Sequence, residues 1–295
     1  LRREGEVFLF DCGAGTQVSL RSLNLKWKKI GAILISHTHA DHVTGLPGML
    51  MLSSQVDREE PLVIIGPPKI REFVEASRHT LEMYINFEIQ VKEIERPWEK
   101  QIVFETDEYT IRSVPLRHSR TCVGYIFEER PRPGLFYPEK AESVGVPRGP
   151  LWSKLQKGER VTLEDGSTVE PTQVMGQERR GRKFSYITDT LPIDTIAPEV
   201  SGSDLLICEG MFGKEFRETA YDKRHMTAED AARIAREAGG IKKMGLIHYS
   251  PRYTNRQLKH LLQEARAVFP ETVLTKEKMS FPIPYDEQPP LSTGS

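Results

Sequence analysis

Five short apolar runs along the chain each break off at a residue able to carry chemistry. Residues 30–35 run into Ser36-His37-Thr38-His39-Ala40-Asp41-His42, and residues 109–116 run into Arg117-His118-Ser119. Phe184-Ser185-Tyr186-Ile187-Thr188 stops at Asp189, Leu205-Leu206-Ile207-Cys208 at Glu209, and Met244-Gly245-Leu246-Ile247 at His248. Runs this short, rich in β-branched residues and bounded by Gly, Pro or polar residues, predict buried strands. Val7-Phe8-Leu9-Phe10, ahead of Asp11-Cys12-Gly13, and Leu62-Val63-Ile64-Ile65 fit the same type. One strand ending in a polar residue is ordinary; five predict a shared site at one edge of a layered sheet. Helices fill the gaps. A helix is expected from about residue 68, with Ile70, Phe73, Val74, Ser77 and Leu81 on one face. Thr227-Ala228-Glu229-Asp230 and Thr254-Asn255-Arg256-Gln257 are capping patterns in which the Thr hydroxyl accepts the amide proton three residues on. The second opens a stripe of Leu258, Leu261, Leu262, Ala265, Val268 and Phe269 that Pro270 ends. His79 and His260 sit in these helices without ligand neighbours and are expected to be structural or solvated. The class is α/β.

Three imidazoles and a carboxylate in His37-Thr38-His39-Ala40-Asp41-His42 make chemical sense as metal ligands. Neutral imidazole nitrogen suits zinc, and a carboxylate among histidines lets a second ion bind beside the first, as two-metal hydrolysis of a phosphate ester requires. A turn at the carboxyl end of a buried strand is rigid and open to solvent at once. Four ligands from one turn cannot surround two ions, so the remainder must come from elsewhere. His118, Asp189 and His248 are the candidates, and the two oxygens of Asp189 suit it to bridge.

Composition narrows the setting. With 295 residues and 38% hydrophobic content, the chain can bury the core of one large domain over residues 1–295. No apolar run approaches the roughly 18 residues of a membrane span, and the amino terminus lacks a signal-like stretch, so a cytoplasmic protein is expected. Cys12, Cys122 and Cys208, odd in number and far apart in apolar segments, predict buried reduced thiols. A net charge of −1 excludes the global basic field of a general nucleic-acid binder. Locally the picture differs. Between Arg130 and Arg160 seven Lys/Arg stand against three Glu, an excess of four positive charges. Pro131, Pro133, Gly134, Pro138, Gly145, Pro147, Gly149 and Pro150 break this stretch, and Tyr137 and Trp152 are expected to be exposed on it. A basic return, Gln177-Glu178-Arg179-Arg180-Gly181-Arg182-Lys183, closes an insertion spanning 131–182. The tail, 285–295, is Pro-, Ser- and charge-rich and is expected to be disordered.

The cradle, His118, Asp189 and His248, in this order, resemble the metallo-β-lactamase superfamily. Phe10-Asp11-Cys12-Gly13-Ala14-Gly15-Thr16-Gln17, Gly45-Leu46-Pro47-Gly48, the insertion with Arg132-Pro133-Gly134 and Gly145-Val146-Pro147-Arg148-Gly149-Pro150, Gly181-Arg182-Lys183, and His248-Tyr249-Ser250-Pro251-Arg252-Tyr253 resemble its ribonuclease Z family. Those endonucleases trim the 3′ end of precursor tRNA. The resemblance implies an αβ/βα sandwich of two β-sheets flanked by helices, with an inserted flexible arm. It implies two Zn(2+) per subunit, or other divalent ions: His37, His39 and His118 around one, Asp41, His42 and His248 around the other, Asp189 shared. It further implies a nucleophilic water between the ions, its pKa lowered towards about 7, and Asp41 as general base. His225, paired with Glu209, would protonate the leaving 3′ oxygen, leaving a 3′-hydroxyl on the tRNA and the phosphate on the trailer.

Asp11 either orients a ligand histidine or closes a turn. Ser250 and Arg252 are candidates to touch a phosphate. The arm, with Arg148, Lys154 and Lys157, would grip the tRNA elbow through sequence-independent phosphate contacts. The expected partners are precursor tRNA and a second copy of the chain, with neither DNA nor membrane. Two departures are expected from the resemblance: the family's first strand and its glycine-containing loop are not recognised ahead of Val7, and Ala40 replaces a frequent Gly. The alternatives are another hydrolase of the superfamily acting on small phosphodiesters or esters, and an RNA-binding protein without turnover.

Overall fold

The apolar runs sort into two sheets in the computed structural model, which describes residues 1–56 and 58–286. The first sheet follows chain order: β1 (Arg2–Arg3), β2 (Glu6–Phe10), β3 (Ile30–Leu34), β4 (Leu62–Gly66) and β5 (Ile89–Glu93). From β2 onward its strands pair in parallel. The second sheet uses β6 (Gln101–Glu105), β7 (Tyr109–Arg117) and β8 (Thr121–Glu129). Beyond a small hairpin of β9 (Val161–Thr162) and β10 (Thr168–Val169), it continues with β11 (Lys183–Ile187), β12 (Leu205–Glu209), β13 (Met244–Ile247) and β14 (Thr272–Leu274). Its order is β14-β13-β12-β11-β8-β7-β6, with β11 to β14 parallel.

The chemistry-bearing strand ends are therefore not on one sheet edge, as the run pattern suggested. β3 delivers the cradle from the first sheet, while β7, β11, β12 and β13 deliver His118, Asp189, Glu209 and His248 from the second. Periodicity marks a strand as buried without saying which sheet it joins. An aromatic seam sets the two sheets face to face. The Phe8 ring centroid lies 5.8 Å from that of Phe127, and Phe10 lies 5.1 Å from Phe184 and 5.6 Å from Tyr186. Hydrogen bonds lock the cradle turn to the opposite sheet, the Tyr125 hydroxyl donating to the Ile35 carbonyl at 2.6 Å and the Val123 amide to the Ser36 carbonyl at 3.0 Å.

Helices cover the outer faces. Leu20, Met49, Leu50, Ile70 and Val74 are buried with Ile33, Ile35 and Ile64 of the first sheet. Helices Ala228–Ala238 and Asn255–Val268 bury Ala231, Ala235, Leu261 and Ala265 with Leu206, Cys208 and Leu246 of the second. Both begin at the expected caps: the Asp230 amide donates to Thr227 Oγ1, and the Gln257 amide to Thr254 Oγ1. The helix Ile70–Thr80 stops before Leu81, which is exposed rather than part of the stripe. His79 is exposed, and the exposed His260 ring pairs with Glu264. The three cysteines are buried and unbridged. Among the described residues no helix is long and apolar enough to cross a membrane.

By contacts the chain divides into two compact units. One holds Leu1–Thr106, Thr110–Phe127 and Lys183–Ile283, and with it the sandwich. The other holds Asp107–Tyr109, Glu128–Arg182 and the chain from Pro284. This second unit has a core of its own: Ala141, Val146, Leu155, Val161, Val169 and Val174 are buried together. Tyr137 and Trp152 are half-buried there rather than free, the Trp152 ring lying 5.1 Å from Phe136 and its indole N–H donating to the Val146 carbonyl. Short helices and the β9–β10 hairpin stand on a stalk in which the two ends of the insertion pair. Arg132 and Arg179 exchange backbone bonds of 2.7 and 2.9 Å, and Glu129 bonds to Arg182, Gly176 to Leu135 and Tyr137 to Val174 in the same antiparallel sense. Close approach requires glycine here, since a Cβ on Gly134 would lie 2.0 Å from the Gly176 carbonyl oxygen. Of the tail, Tyr285 and Asp286 make side-chain contacts within this unit, and residues 287–295 lie outside the described residues.

Candidate metal centre and proton donor

The cradle residues leave β3 on a turn that a second loop holds from beneath. The Cys12 amide donates to the His42 carbonyl at 2.8 Å and the Gly45 amide to the Cys12 carbonyl at 2.9 Å. Contact is so close that a Cβ on Gly13 would sit 2.1 Å from the Asp41 carbonyl oxygen. Only glycine lets residues 11–15 run flush against the ligands.

From this turn, and from the ends of β7, β11 and β13, the ligand atoms converge in two groups sharing one carboxylate. His37 Nε2 lies 3.0 Å from His39 Nδ1, and His118 Nε2 lies 3.2 Å from the same atom. Asp189 Oδ2 lies 3.6 Å from His37 Nε2 and 3.8 Å from His118 Nε2. Beside them, His42 Nε2 lies 3.5 Å from both Asp41 Oδ2 and Asp189 Oδ2, and His248 Nδ1 lies 3.4 Å from Asp189 Oδ1. Tetrahedral zinc with bonds of about 2.0–2.1 Å places its ligand atoms about 3.3 Å apart. The first group, three imidazoles and a carboxylate, fits that spacing; of the second, Asp41, His42 and His248, the His248 ring faces the other oxygen of Asp189 while His42 faces the same one, and Asp189, His225 and His248 form a third set of donor atoms close to one another. The donor set and its spacing fit divalent cations.

Outward ring atoms are fixed as metal-ligating histidines require. Asp11 Oδ2 meets His42 Nδ1 at 2.7 Å, and the same carboxylate accepts from the Ser36 amide, the Ser36 hydroxyl and the Tyr186 hydroxyl. Ser36 Oγ in turn lies 3.0 Å from His37 Nδ1. His118 Nδ1 donates to the Arg224 carbonyl at 3.0 Å, which leaves Nε2 as the inward lone pair. Of the two readings of Asp11, orientation of a ligand histidine is the one the contacts favour. Asp11→Asn is expected to weaken metal binding by about 10–100-fold, measured by titration with a chromogenic chelator. Unchanged binding would reduce Asp11 to a turn residue.

Burial and the neighbouring imidazoles push His37 down to about 2, and burial lowers His39 and His118 as well. All three are held as neutral donors. For His42 burial acts downward too, but hydrogen bonds to Asp11 and Asp189 outweigh it and carry the ring up to about 10. Burial would raise Asp189, yet the bond to His42 and the charge of His248 hold its carboxyl well below the usual range. Cations in place of these protons satisfy the same carboxylate. Asp41, by contrast, is mostly exposed at the mouth. His248 adopts a left-handed backbone, φ 59°, a strained conformation that aims a β-strand end inward.

At the rim His225 stacks on His248, ring centroids 5.3 Å apart and planes at 20°. Its Nδ1 lies 3.1 Å from Glu209 Oε1, which also accepts from the Thr190 amide at 2.6 Å. Burial raises the Glu209 carboxyl well above its ordinary value and lowers the His225 ring. Pairing with a carboxylate would favour an imidazolium at His225, but burial of both groups opposes it. With the shared proton on Glu209, Nδ1 accepts it and the neutral ring carries its own hydrogen on Nε2.

Ser250 is buried, and its hydroxyl accepts from Arg252 Nε at 3.1 Å, while the Arg252 guanidinium lies 5.0 Å from the ring centroids of Phe212 and Phe216. Arg148 is paired with Glu142 and lies over Trp152, within the second unit, where Lys154 and Lys157 are exposed. Three contributors were not legible from spacing. Ser36 is one, masked by the histidines after it. Tyr186 is another; a hydroxyl in an otherwise apolar strand was its only mark. The third is Arg224, whose carbonyl accepts from His118 Nδ1 and whose guanidinium donates to the His118 carbonyl at 2.8 Å, tying the loops of His118 and His225 together.

A family model described as Anti-Pycsar protein Apyc1 matches residues 1–132. Ribonuclease Z of Treponema denticola is 60% identical over 97% of this chain and 92% of its own length. Ribonuclease Z of Borreliella burgdorferi is 42% identical over 94% and 88%. Among solved structures, the short form of human tRNase Z superposes with a TM-score of 0.65 at 23% identity, covering 96% of this chain and 91% of that one. The metallo-β-lactamase fold protein YhfI from Bacillus subtilis does so with a TM-score of 0.61 at 22% identity, covering 94% and 87%.

Proposed function

The chain belongs to the ribonuclease Z family and has the metallo-β-lactamase fold; from that premise we propose how its residues cut precursor tRNA on the 3′ side and leave a 3′-hydroxyl on the tRNA. As a family member it is a metal-dependent endoribonuclease of tRNA 3′ processing. One observation carries the residue-level reading. The Asp189 carboxylate faces both sets of donor atoms, with a buried Glu209–His225 pair against their edge.

We assign His37, His39 and His118 to one zinc ion and Asp41, His42 and His248 to a second, with Asp189 common to both. When bound, the pair of cations supplies Lewis acidity towards a phosphodiester and lowers the pKa of water. The chain's own groups do the rest. Asp41, exposed at the mouth and 3.5 Å from His42, accepts the proton of the attacking water. His225 donates its Nε2 hydrogen to the departing 3′ oxygen as Glu209 passes its proton to Nδ1, which leaves the ring neutral and the carboxylate charged. Arg252, its guanidinium fixed over two aromatic rings and by Ser250, is placed to contact a backbone phosphate.

Substrate recognition is assigned to the second unit, where Arg148, Lys154 and Lys157 meet phosphates of the tRNA. We further propose a homodimer acting in the cytoplasm. The exposed apolar side chains Val18, Met51, Leu81 and Tyr84, on or just after helices of the first unit, are the surface that a second copy would cover.

Incubation of precursor tRNA bearing a 3′ trailer tests the reading directly. Chelation is expected to abolish cleavage and added zinc to restore it, giving a tRNA that ends in a 3′-hydroxyl. Binding of the precursor with no cleavage at any metal concentration would support a binding protein without turnover. Hydrolysis of a small chromogenic phosphodiester without cleavage of the precursor would point to a different hydrolase of the superfamily.

A further inference from the structure

Tyr285 stands in a segment whose composition predicts disorder, yet its ring engages both strands of the stalk. The Arg132 guanidinium, on the outgoing strand, lies 3.4 Å from the ring centroid, and that of Arg182, on the returning strand, lies 4.0 Å from it. Arg182 also donates to the Tyr285 hydroxyl at 2.9 Å, and that hydroxyl lies 3.5 Å from Glu129 Oε1. Glu129 is itself nearly buried and takes a two-point contact from Arg182, Nε to Oε2 at 2.9 Å and Nη2 to Oε1 at 2.5 Å. One residue further on, Asp286 pairs with Arg180 at 3.3 Å.

These contacts sit where the stalk is least able to hold itself. A two-stranded ribbon is marginally stable alone, and this one carries Pro131 and Pro133, which lack amide donors. Its arginines repel one another across the strands: Arg132 faces Arg179 in register, with Arg180 and Arg182 beside them. Two cations against one aromatic ring, and a carboxylate between the strands, convert that repulsion into attraction.

We propose that Tyr285 is a positioning residue for tRNA: it staples the outgoing and returning strands of the stalk at their root, so that the cap on residues 136–175 is presented as a rigid body. The proposal rests on the assignment of the second unit to tRNA binding, and it places the determinant of that rigidity outside the insertion, in the carboxy-terminal segment. Tyr285 touches no reacting atom, so its contribution belongs to KM and not to kcat.

The test compares Tyr285→Ala, Tyr285→Phe and the full-length enzyme. Hydrogen exchange at the Arg132 and Arg179 amides, which bond across the stalk, is expected to quicken about tenfold or more in Tyr285→Ala and to stay near wild type in Tyr285→Phe, which keeps the ring face. KM for precursor tRNA is expected to rise about tenfold in Tyr285→Ala, with kcat and hydrolysis of a small chromogenic phosphodiester within about twofold of wild type. Unaltered exchange at those amides in Tyr285→Ala overturns the staple. Faster exchange with an unaltered KM overturns its role in tRNA positioning. An enzyme in which residues 133–178 are replaced by a two-residue turn separates the two assignments: if it keeps the wild-type KM, the second unit does not bind tRNA, and the exchange data alone decide the staple.

Discussion

His225→Ala is expected to lower kcat on precursor tRNA by about 10²–10⁴-fold, the range for loss of a positioned general acid, with tRNA affinity and metal content within about twofold of wild type. His225 is the one ring at the centre whose Nδ1 faces a buried glutamate while its face stacks on a candidate ligand, so removing it takes away a proton and no donor assigned to a cation. The fold should survive the change. Glu209 would lose its main partner, but burial already raises its carboxyl far above the ordinary range, so it can remain protonated and neutral and keep the Thr190 amide bond. A thermal melt checks this, and single-turnover cleavage at saturating enzyme measures the chemical step apart from binding. A precursor whose trailer departs from a better leaving group should recover much of the lost rate, because such an oxygen needs no proton. A kcat within tenfold of wild type would remove His225 from the reaction.

Replacing residues 133–178 by Asn-Gly is the second large perturbation. Arg132 and Arg179 face each other as a hydrogen-bonded antiparallel pair, the register that a two-residue turn closes. The excised cap packs on its own core of Ala141, Val146, Leu155, Val161, Val169 and Val174, so its removal need not open the sandwich. Processing of precursor tRNA is expected to fall by about 10³-fold or more, as for a protein stripped of several phosphate contacts, while hydrolysis of a small chromogenic phosphodiester changes by less than about threefold. Equal loss of both activities would mean that the cap supports the catalytic residues rather than the substrate.

How far the sequence could be read depended on the range of the interaction. The strand ends and the Thr227 and Thr254 caps are local features, and period and spacing disclosed them. Pairing of strands is not local: nothing in residues 30–35 says that they belong to a different sheet from residues 184–187, so the single sheet edge inferred from five runs became two facing sheets. The residues of the candidate metal centre stood out because His, Asp and strand ends are rare in combination. The groups behind them were less so. Asp11 was ambiguous until Ser36, His42 and Tyr186 were seen around its carboxylate, and Arg224 acts through its backbone, which no residue type advertises. In the insertion, Pro and Gly punctuation concealed a small core whose apolar positions follow no single period. Composition likewise gave no sign that Tyr285 would find two guanidinium groups.

The central claim is that Asp189 joins two sets of donors around two cations. Anomalous diffraction at the zinc absorption edge, on crystals of the zinc-loaded protein, tests it without reference to activity. Two peaks per chain are predicted, one among His37, His39 and His118 and one among Asp41, His42 and His248, with an Asp189 oxygen in contact with each. A single peak, or peaks away from Asp189, would contradict the account.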